Sequence, residues 1–142
     1  MPKARFQHTL RQMRLSPRTW VRAITVAVAV GIVVVSMLPI PQPQVGDVPM
    51  ADKIAHGLAY ALLGFLLFAS QLPGPRPRLV LVAITSSLVL GGLIELVQPL
   101  ASRHRELGDL IADLVGATAG ALLALALTGF LKRLLLRARS RT

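Results

Sequence analysis

Four ionisable residues fall inside, or at the edges of, long apolar segments of the chain. They are His56, Glu95, Asp109 and Asp113. A charged side chain at the centre of a bilayer costs about 2.5 kcal/mol or more on insertion scales, so residues of this kind usually serve a function. An imidazole beside carboxylates can act as a general acid, a general base or a nucleophile. Imidazole and carboxylates also suit zinc or manganese, although these residues follow no dedicated metal-binding spacing.

Four apolar segments must position these residues, and they predict helices at about residues 20–38, 52–72, 78–98 and 107–131. Helices of this length span about 28–38 Å, which matches a hydrocarbon core of about 30 Å. Residues 114–131 contain no charged side chain, whereas a helix of a soluble bundle needs a polar stripe. The sequence therefore predicts an all-α polytopic membrane protein, a bundle of about four transmembrane helices.

Composition supports the membrane environment. Of the 142 residues, 54% are hydrophobic and 15% are charged, against about 25% charged in an average soluble domain. The absence of cysteine excludes disulfides, thiolate metal sites and cysteine nucleophiles. The net charge of +10 could indicate a nucleic-acid partner. The basic residues, however, lie at the chain ends and in one short loop, as membrane-flanking charges do, so we expect the lipid bilayer and no nucleic acid as a partner.

The distribution of basic residues predicts the orientation. The N-terminal arm, the loop between the second and third segments, and the C-terminal tail hold thirteen of the sixteen Lys and Arg residues. The positive-inside rule therefore places both termini in the cytoplasm. The predicted parts are a basic cytoplasmic arm at residues 1–22, a transmembrane domain at 23–131 and a basic cytoplasmic tail at 132–142. The first segment is interpreted as a retained signal anchor, because no small-x-small cleavage site follows Leu38.

With this orientation, every acidic residue falls on the outward side of the membrane: Asp47, Asp52, Glu95, Glu106, Asp109 and Asp113. By the helix rise, His56 lies about 6 Å inside the second helix, and Glu95 lies about 5 Å from the end of the third. Asp113 lies one turn deeper than Asp109. Since three helices bring ionisable groups to a similar depth, we predict one polar cluster that includes His56, Glu95 and Asp109.

The spacing places the polar residues of each helix on one face. The three stripes are Lys53-His56-Tyr60-Gly64, Ser87-Gly91-Glu95-Gln98 and Asp109-Asp113-Gly116-Gly120. In each stripe small residues lie below polar ones, which allows helix backbones to approach closely. Gly116 and Gly120 could line a dimer interface or the interior of the bundle. Because they share a face with Asp109 and Asp113, we favour the interior, and the oligomeric state stays open.

Local signals predict two of the helix ends. Asp52 is a candidate N-cap for the second helix, since its carboxylate can accept hydrogen bonds from free backbone N–H groups. Pro99 is expected to end the third helix, because proline lacks the backbone donor that continues a helix. Proline-rich segments at residues 39–43 and 73–77 are expected to be the connections that follow the first and second helices.

Three motifs follow one another along the second, third and fourth segments: D-K-x-x-H-x-x-x-Y at residues 52–60, E-x-x-Q at 95–98, and R-x5-D-x3-[ND]-x2-G at 103–116. Together they resemble the VanZ-like family, over roughly residues 52–123. The founding members are linked to low-level resistance to the glycopeptide antibiotic teicoplanin. A wider kinship has been proposed with four-helix membrane proteins that act on lipid head groups. The resemblance implies a multi-pass protein of the bacterial cytoplasmic (inner) membrane with a site at its outer face.

The resemblance also implies roles for individual residues. The candidate catalytic residues are His56, Glu95 and Asp109, and the candidate substrate-binding residues are Lys53, Tyr60, Gln98, Arg103 and Asp113. Arg103 and Lys53 would hold a phosphate, arginine through its bidentate fork. Two departures from the family pattern stand out: Asp113 occupies a position that is often asparagine, and Ala101-Ser102 replaces the usual Pro-Gly before the arginine.

The expected function is to act on, or to bind, a lipid or lipid-linked head group such as a phospholipid or a cell-wall precursor, with a bearing on glycopeptide susceptibility. An enzyme would be a head-group hydrolase or transferase. The alternatives are a non-catalytic binding protein of the envelope and a membrane assembly protein. Any cofactor or metal stays open. Substitution of His56 separates these functions, because only an enzyme should lose its activity completely.

Overall fold

The computed structural model describes residues 16–38, 50–101 and 106–140, and the regular elements within them are all helices. They are α1 (Pro17–Met37), α2 (Ala51–Ser70), α3 (Arg76–Val97), a 3-10 turn (Gln98–Ala101) and α4 (Leu107–Arg139). All four α-helices are long enough and apolar enough to cross a membrane. The predicted all-α class is confirmed for the described part of the chain, and its four helices have the length and composition that the predicted spans require.

Capping and proline explain several helix ends. The hydroxyl of Ser16 accepts a hydrogen bond from the Thr19 backbone N–H at 3.2 Å, and Pro17 occupies the first turn of α1. Proline is favoured there, because its missing donor would be unpaired in any residue. At the other end of the molecule α3 stops at Val97, and Pro99 lies in the 3-10 turn that follows. The predicted effect of Pro99 is thus confirmed.

Two sequence predictions are wrong. Asp52 is not the N-cap of α2: Met50 occupies that position in a left-handed conformation with φ of 67°, and Asp52 lies inside the first turn. A carboxylate is still favourable there because of the helix dipole. The fourth helix does not end at residue 131 but continues to Arg139. Its last turns contain Leu, Lys, Arg and Ala without Gly or Pro, and these residues favour helix. The proline-rich segment at 39–43 lies outside the described residues.

The backbones of α2 and α4 are in direct contact. A Cβ atom added to Gly116 would collide with the carbonyl oxygen of Gly57, and one added to Gly120 would collide with that of Ala61. A Cβ atom on Gly64 would collide with the Ala117 carbonyl. Only residues without a side chain permit this approach. The prediction that Gly116 and Gly120 face the bundle interior is therefore confirmed.

The other helices pack around this pair. Buried side chains of α2, α3 and α4 form two apolar clusters, one around Tyr60, Leu63 and Ala117 and the other around Phe68 and Leu79. Helix α1 lies at the periphery, with only 6% of its membrane window buried, against 33% for α4. Large apolar side chains cover the outer surfaces of all four helices, as expected of helices that face lipid.

Candidate functional site

Three helix ends meet at one end of the bundle. Helices α2 and α4 both begin there and α3 ends there, so each contributes polar side chains at a similar level. We call the following six residues the polar cluster: Lys53, His56, Tyr60, Glu95, Asp109 and Asp113. Tyr60, Glu95, Asp109 and Asp113 are buried, and the side chains of Lys53 and His56 are about a quarter exposed.

The imidazole of His56 lies between two carboxylates of α4. Its Nδ1 is 3.0 Å from Oδ1 of Asp113, and its Nε2 is 3.8 Å from Oδ2 of Asp109. In the tautomer with its proton on Nδ1, the imidazole donates that N–H group to Asp113. The separation of Nε2 from Asp109 is longer than a hydrogen bond. Asp113 therefore fixes the ring, and Nε2 faces Asp109 without a direct hydrogen bond to it.

The Tyr60 ring supports the imidazole from one turn further along α2. The two rings are almost parallel, with an interplanar angle of 4° and a centroid distance of 6.5 Å. The floor of the cluster is Gly91 of α3. A Cβ atom there would be 2.6 Å from Oδ2 of Asp113 and 3.2 Å from the Tyr60 hydroxyl. Glycine at this position thus makes room for both polar groups.

The ammonium of Lys53 joins α2 to the beginning of α4. Its Nζ lies 2.9 Å from Asp52 Oδ2, 2.9 Å from Glu106 Oε2 and 3.6 Å from Asp109 Oδ1. The Lys53 stem passes over Gly108, where a Cβ atom would be 2.8 Å from its Cε. The lysine therefore neutralises charge from three carboxylates, and a side chain at residue 108 would displace it.

Glu95 connects the end of α3 to the beginning of α4. Its Oε2 accepts the backbone N–H of Glu106 at 3.1 Å, while its Oε1 is buried without a hydrogen-bond partner among the residues that the structure describes. Glu106 thus contributes twice, through its backbone N–H and through its carboxylate on Lys53. Glu106 was predicted to lie on the outward side but not to take part in the site, and its place immediately before the fourth helix was the one signal for this role.

His56 lies 3.0 Å from Asp113 and 3.8 Å from Asp109, so these side chains meet as predicted. Glu95 bonds the backbone of Glu106, whose carboxylate in turn bonds Lys53. Gln98 is buried and lies seven residues after Gly91, on the same face of α3. Its Oε1 has no hydrogen-bond partner. Arg103 lies outside the described residues. The catalytic and substrate-binding roles of these residues remain predictions.

The described residues do not gather the predicted metal set of His56, Glu95, Asp109 and Asp113 around one point, because the two imidazole nitrogens face different carboxylates. Carboxylate oxygens of Asp52, Glu106 and Asp109 do lie within 4.8 Å of one another. The Lys53 ammonium, however, already contacts all three. A metal ion at these oxygens would have to displace that ammonium.

Comparison of this chain with protein-family models, with curated proteins and with solved structures finds no match. The VanZ-like resemblance therefore remains a prediction from the motifs at residues 52–116.

Proposed function

We propose that the polar cluster is a head-group site at the outer face of the bacterial cytoplasmic membrane, in a VanZ-like protein with both termini in the cytoplasm. The site binds a lipid or lipid-linked head group and acts on it by proton transfer through His56. The observation that carries this proposal is the imidazole held between Asp113 and Asp109 at 3.0 and 3.8 Å. The cluster lies in the first turns of α2 and α4 and is therefore close to the end of the membrane-spanning segments. Lipid head groups lie at that level of a bilayer, so a head group is the class of ligand proposed.

The geometry suits a general acid or base better than a purely structural pair. Asp113 accepts the Nδ1–H group and thereby leaves Nε2 of His56 to exchange a proton with a ligand. The His56 side chain is 21% exposed, so a ligand can reach it, whereas that of Asp113 is 2% exposed and serves to orient the ring. A histidine that only links two helices would not require an exposed Nε2 atom or unpaired acceptors beside it.

A second candidate function is non-catalytic binding of the same head group or of a lipid-linked cell-wall precursor. It is favoured by the composition of the polar cluster: its six residues include no serine, threonine or cysteine, the hydroxyl and thiol nucleophiles of covalent catalysis. Through the family resemblance, either function would bear on glycopeptide susceptibility, by modifying or sequestering an envelope component.

The test uses full-length protein reconstituted in vesicles of bacterial membrane lipid, with lipids and released head groups followed by mass spectrometry. The wild type should convert one lipid class, and His56→Gln should lower the rate by at least about a hundredfold, as expected for loss of a general acid or base. Retained lipid binding in that variant would separate the chemistry from recognition.

Binding without conversion in the wild type would contradict catalysis and support the second candidate. Neither binding nor conversion would contradict the head-group site and leave an assembly role. A variant that changes distant Thr128 to Val serves as the control, because its hydroxyl bonds only to carbonyl oxygens of α4.

A further inference from the structure

The polar cluster and the neighbouring Gln98 contain buried acceptors that lack a hydrogen-bond donor. Oε1 of Glu95, Oε1 of Gln98 and Oδ1 of Asp109 accept no hydrogen bond in the described part of the chain, although Asp109 Oδ1 lies 3.6 Å from Lys53 Nζ. The residues themselves are only 9%, 2% and 9% exposed. Native proteins rarely leave buried polar atoms unpaired, so such atoms indicate water, an ion or a ligand. All three atoms are acceptors, and whatever binds them must supply hydrogen-bond donors.

At this end of the bundle the described residues carry more acidic than basic groups. Among the described residues, this end of the bundle holds five carboxylates: Asp52, Glu95, Glu106, Asp109 and Asp113. The two basic groups that the structure describes beside them are already engaged, Lys53 by Asp52, Glu106 and Asp109, and His56 by Asp113. Within the described ranges, the hydrogen bond of Glu95 comes from the neutral backbone N–H of Glu106. The described groups that remain for a ligand are therefore acceptors with excess negative charge, and these acceptors suit a cationic hydrogen-bond donor.

A primary ammonium matches this arrangement, since it has three donors and no acceptor. Lys53 is an example of such an ammonium within the same cluster: its Nζ lies 2.9, 2.9 and 3.6 Å from three carboxylate oxygens. We propose that the polar cluster binds the primary ammonium group of a ligand on Glu95, Gln98 and Asp109, and that the ligand is an amine-bearing phospholipid. This rests on the proposed head-group site and specifies its substrate class.

The test compares lipids that differ only in the head group. Purified full-length protein in detergent is titrated with dioleoyl phosphatidylethanolamine, phosphatidylcholine and phosphatidylglycerol, and bound lipid is measured by native mass spectrometry. Phosphatidylethanolamine should bind at least about tenfold more tightly than phosphatidylcholine, because the quaternary amine carries the same charge without N–H donors. Soluble phosphoethanolamine, added as a competitor, should displace the lipid only at much higher concentration if the acyl chains contribute. Displacement at equal concentration would assign the site to a soluble amine and overturn the lipid source.

Two variants report on the acceptors. Glu95→Gln and Asp109→Asn each remove one negative charge and keep the shape of the side chain, so both should reduce the preference for the primary amine to about threefold or less. Asp52→Asn is the matched control: it removes the same charge from a carboxylate that already bonds Lys53 at 2.9 Å, and the preference should persist. Monodisperse elution of each variant verifies folding.

Equal binding of the two amines, or an unchanged preference in both variants, would overturn the inference. Preference for phosphatidylglycerol would overturn the ammonium but retain a head-group site, whereas no selection among lipids would contradict the head-group site itself. Tight binding of Mn²⁺ or Zn²⁺ that blocks phosphatidylethanolamine would overturn the inference in favour of a metal.

Discussion

At the scale of single residues, Asp113 and Asp109 interact differently with the His56 imidazole: the first lies within hydrogen-bond distance of Nδ1, and the second faces Nε2. Asp113 accepts the His56 Nδ1–H group at 3.0 Å, and Asp109 lies 3.8 Å from Nε2 and 3.6 Å from Lys53 Nζ. An amide oxygen can accept the same Nδ1–H bond as a carboxylate. This explains how asparagine can occupy the position of Asp113 in the VanZ-like pattern.

The two acids should therefore respond differently to amide substitution. Asp113→Asn should keep ligand binding or conversion within about threefold of the wild type, because the Nδ1 acceptor persists. Asp109→Asn should lower it at least about tenfold, since it weakens the negative charge toward Lys53, His56 and the ligand. The measurement is activity or binding normalised to the amount of protein in the membrane. Loss in Asp113→Asn alone would show that a charged Asp113 is required.

Alanine substitution at the adjacent Gly91 and Gly92 tests whether Asp113 packs against Gly91, at the floor of the cluster. In Gly91→Ala the new Cβ would meet Asp113 Oδ2 at 2.6 Å and should push it away from His56, whereas Gly92 has nothing within 4 Å. We expect lipid binding to weaken at least about fivefold in Gly91→Ala and to stay unchanged in Gly92→Ala, because overpacking displaces side chains. Equal binding by both variants would contradict the described position of Asp113.

Residue spacing was sufficient to predict which side chains meet, because His56, Glu95, Asp109 and Asp113 occupy matching depths on three helices. It was not sufficient for contacts made through loops or backbone groups. The link from Glu106 N–H to Glu95 depends on how the chain enters α4, and no side-chain periodicity encodes it. Asp52 was misassigned as a cap because the left-handed conformation of Met50 is not apparent from residue type.

At the scale of the helices, the contact between α2 and α4 sets the geometry of the site. It brings the Lys53 and His56 side chains of α2 against Asp109 and Asp113 of α4. The glycine and alanine stripes predicted this approach, since they recur at helical spacing below the polar residues. The length of α4 was not predicted, because the basic residues after 131 suggest a separate tail while their helix propensity extends the helix.

Alanine substitution at two glycines tests this contact. Gly120→Ala should lower the melting temperature in detergent by about 4 °C or more, because its Cβ would collide with the Ala61 carbonyl and overpacking costs about 1–3 kcal/mol. Gly31→Ala in α1 should leave the melting temperature unchanged or slightly raised, since nothing lies within 4 Å of its Cβ. A similar shift in both variants would mean that α2 and α4 are not in backbone contact.

At the scale of the whole molecule, the polar cluster occupies one end of the bundle and the excess of basic residues the other. Both features follow from the sequence once the four spans are known. The orientation itself is a proposal from the positive-inside rule. It decides whether the cluster meets the outer leaflet, with its envelope precursors, or the cytoplasmic leaflet.

Single cysteines can test the orientation cleanly, because the chain contains none. A cysteine at Gln44, between α1 and α2, should react with a membrane-impermeant maleimide in intact cells. Cysteines at Gly74 and Ser140 should react only after permeabilisation. The reverse pattern would place the polar cluster on the cytoplasmic face and contradict an outer-leaflet ligand.

The most direct measurement is the lipid that stays on the purified protein. Native mass spectrometry of the wild type after extensive detergent exchange should show one retained lipid per chain, and fragmentation should identify its head group. The double variant Glu95→Gln, Asp109→Asn should retain none at the same detergent concentration, while Asp52→Asn should retain the lipid. Equal retention by the wild type and the double variant would mean that the polar cluster binds no head group.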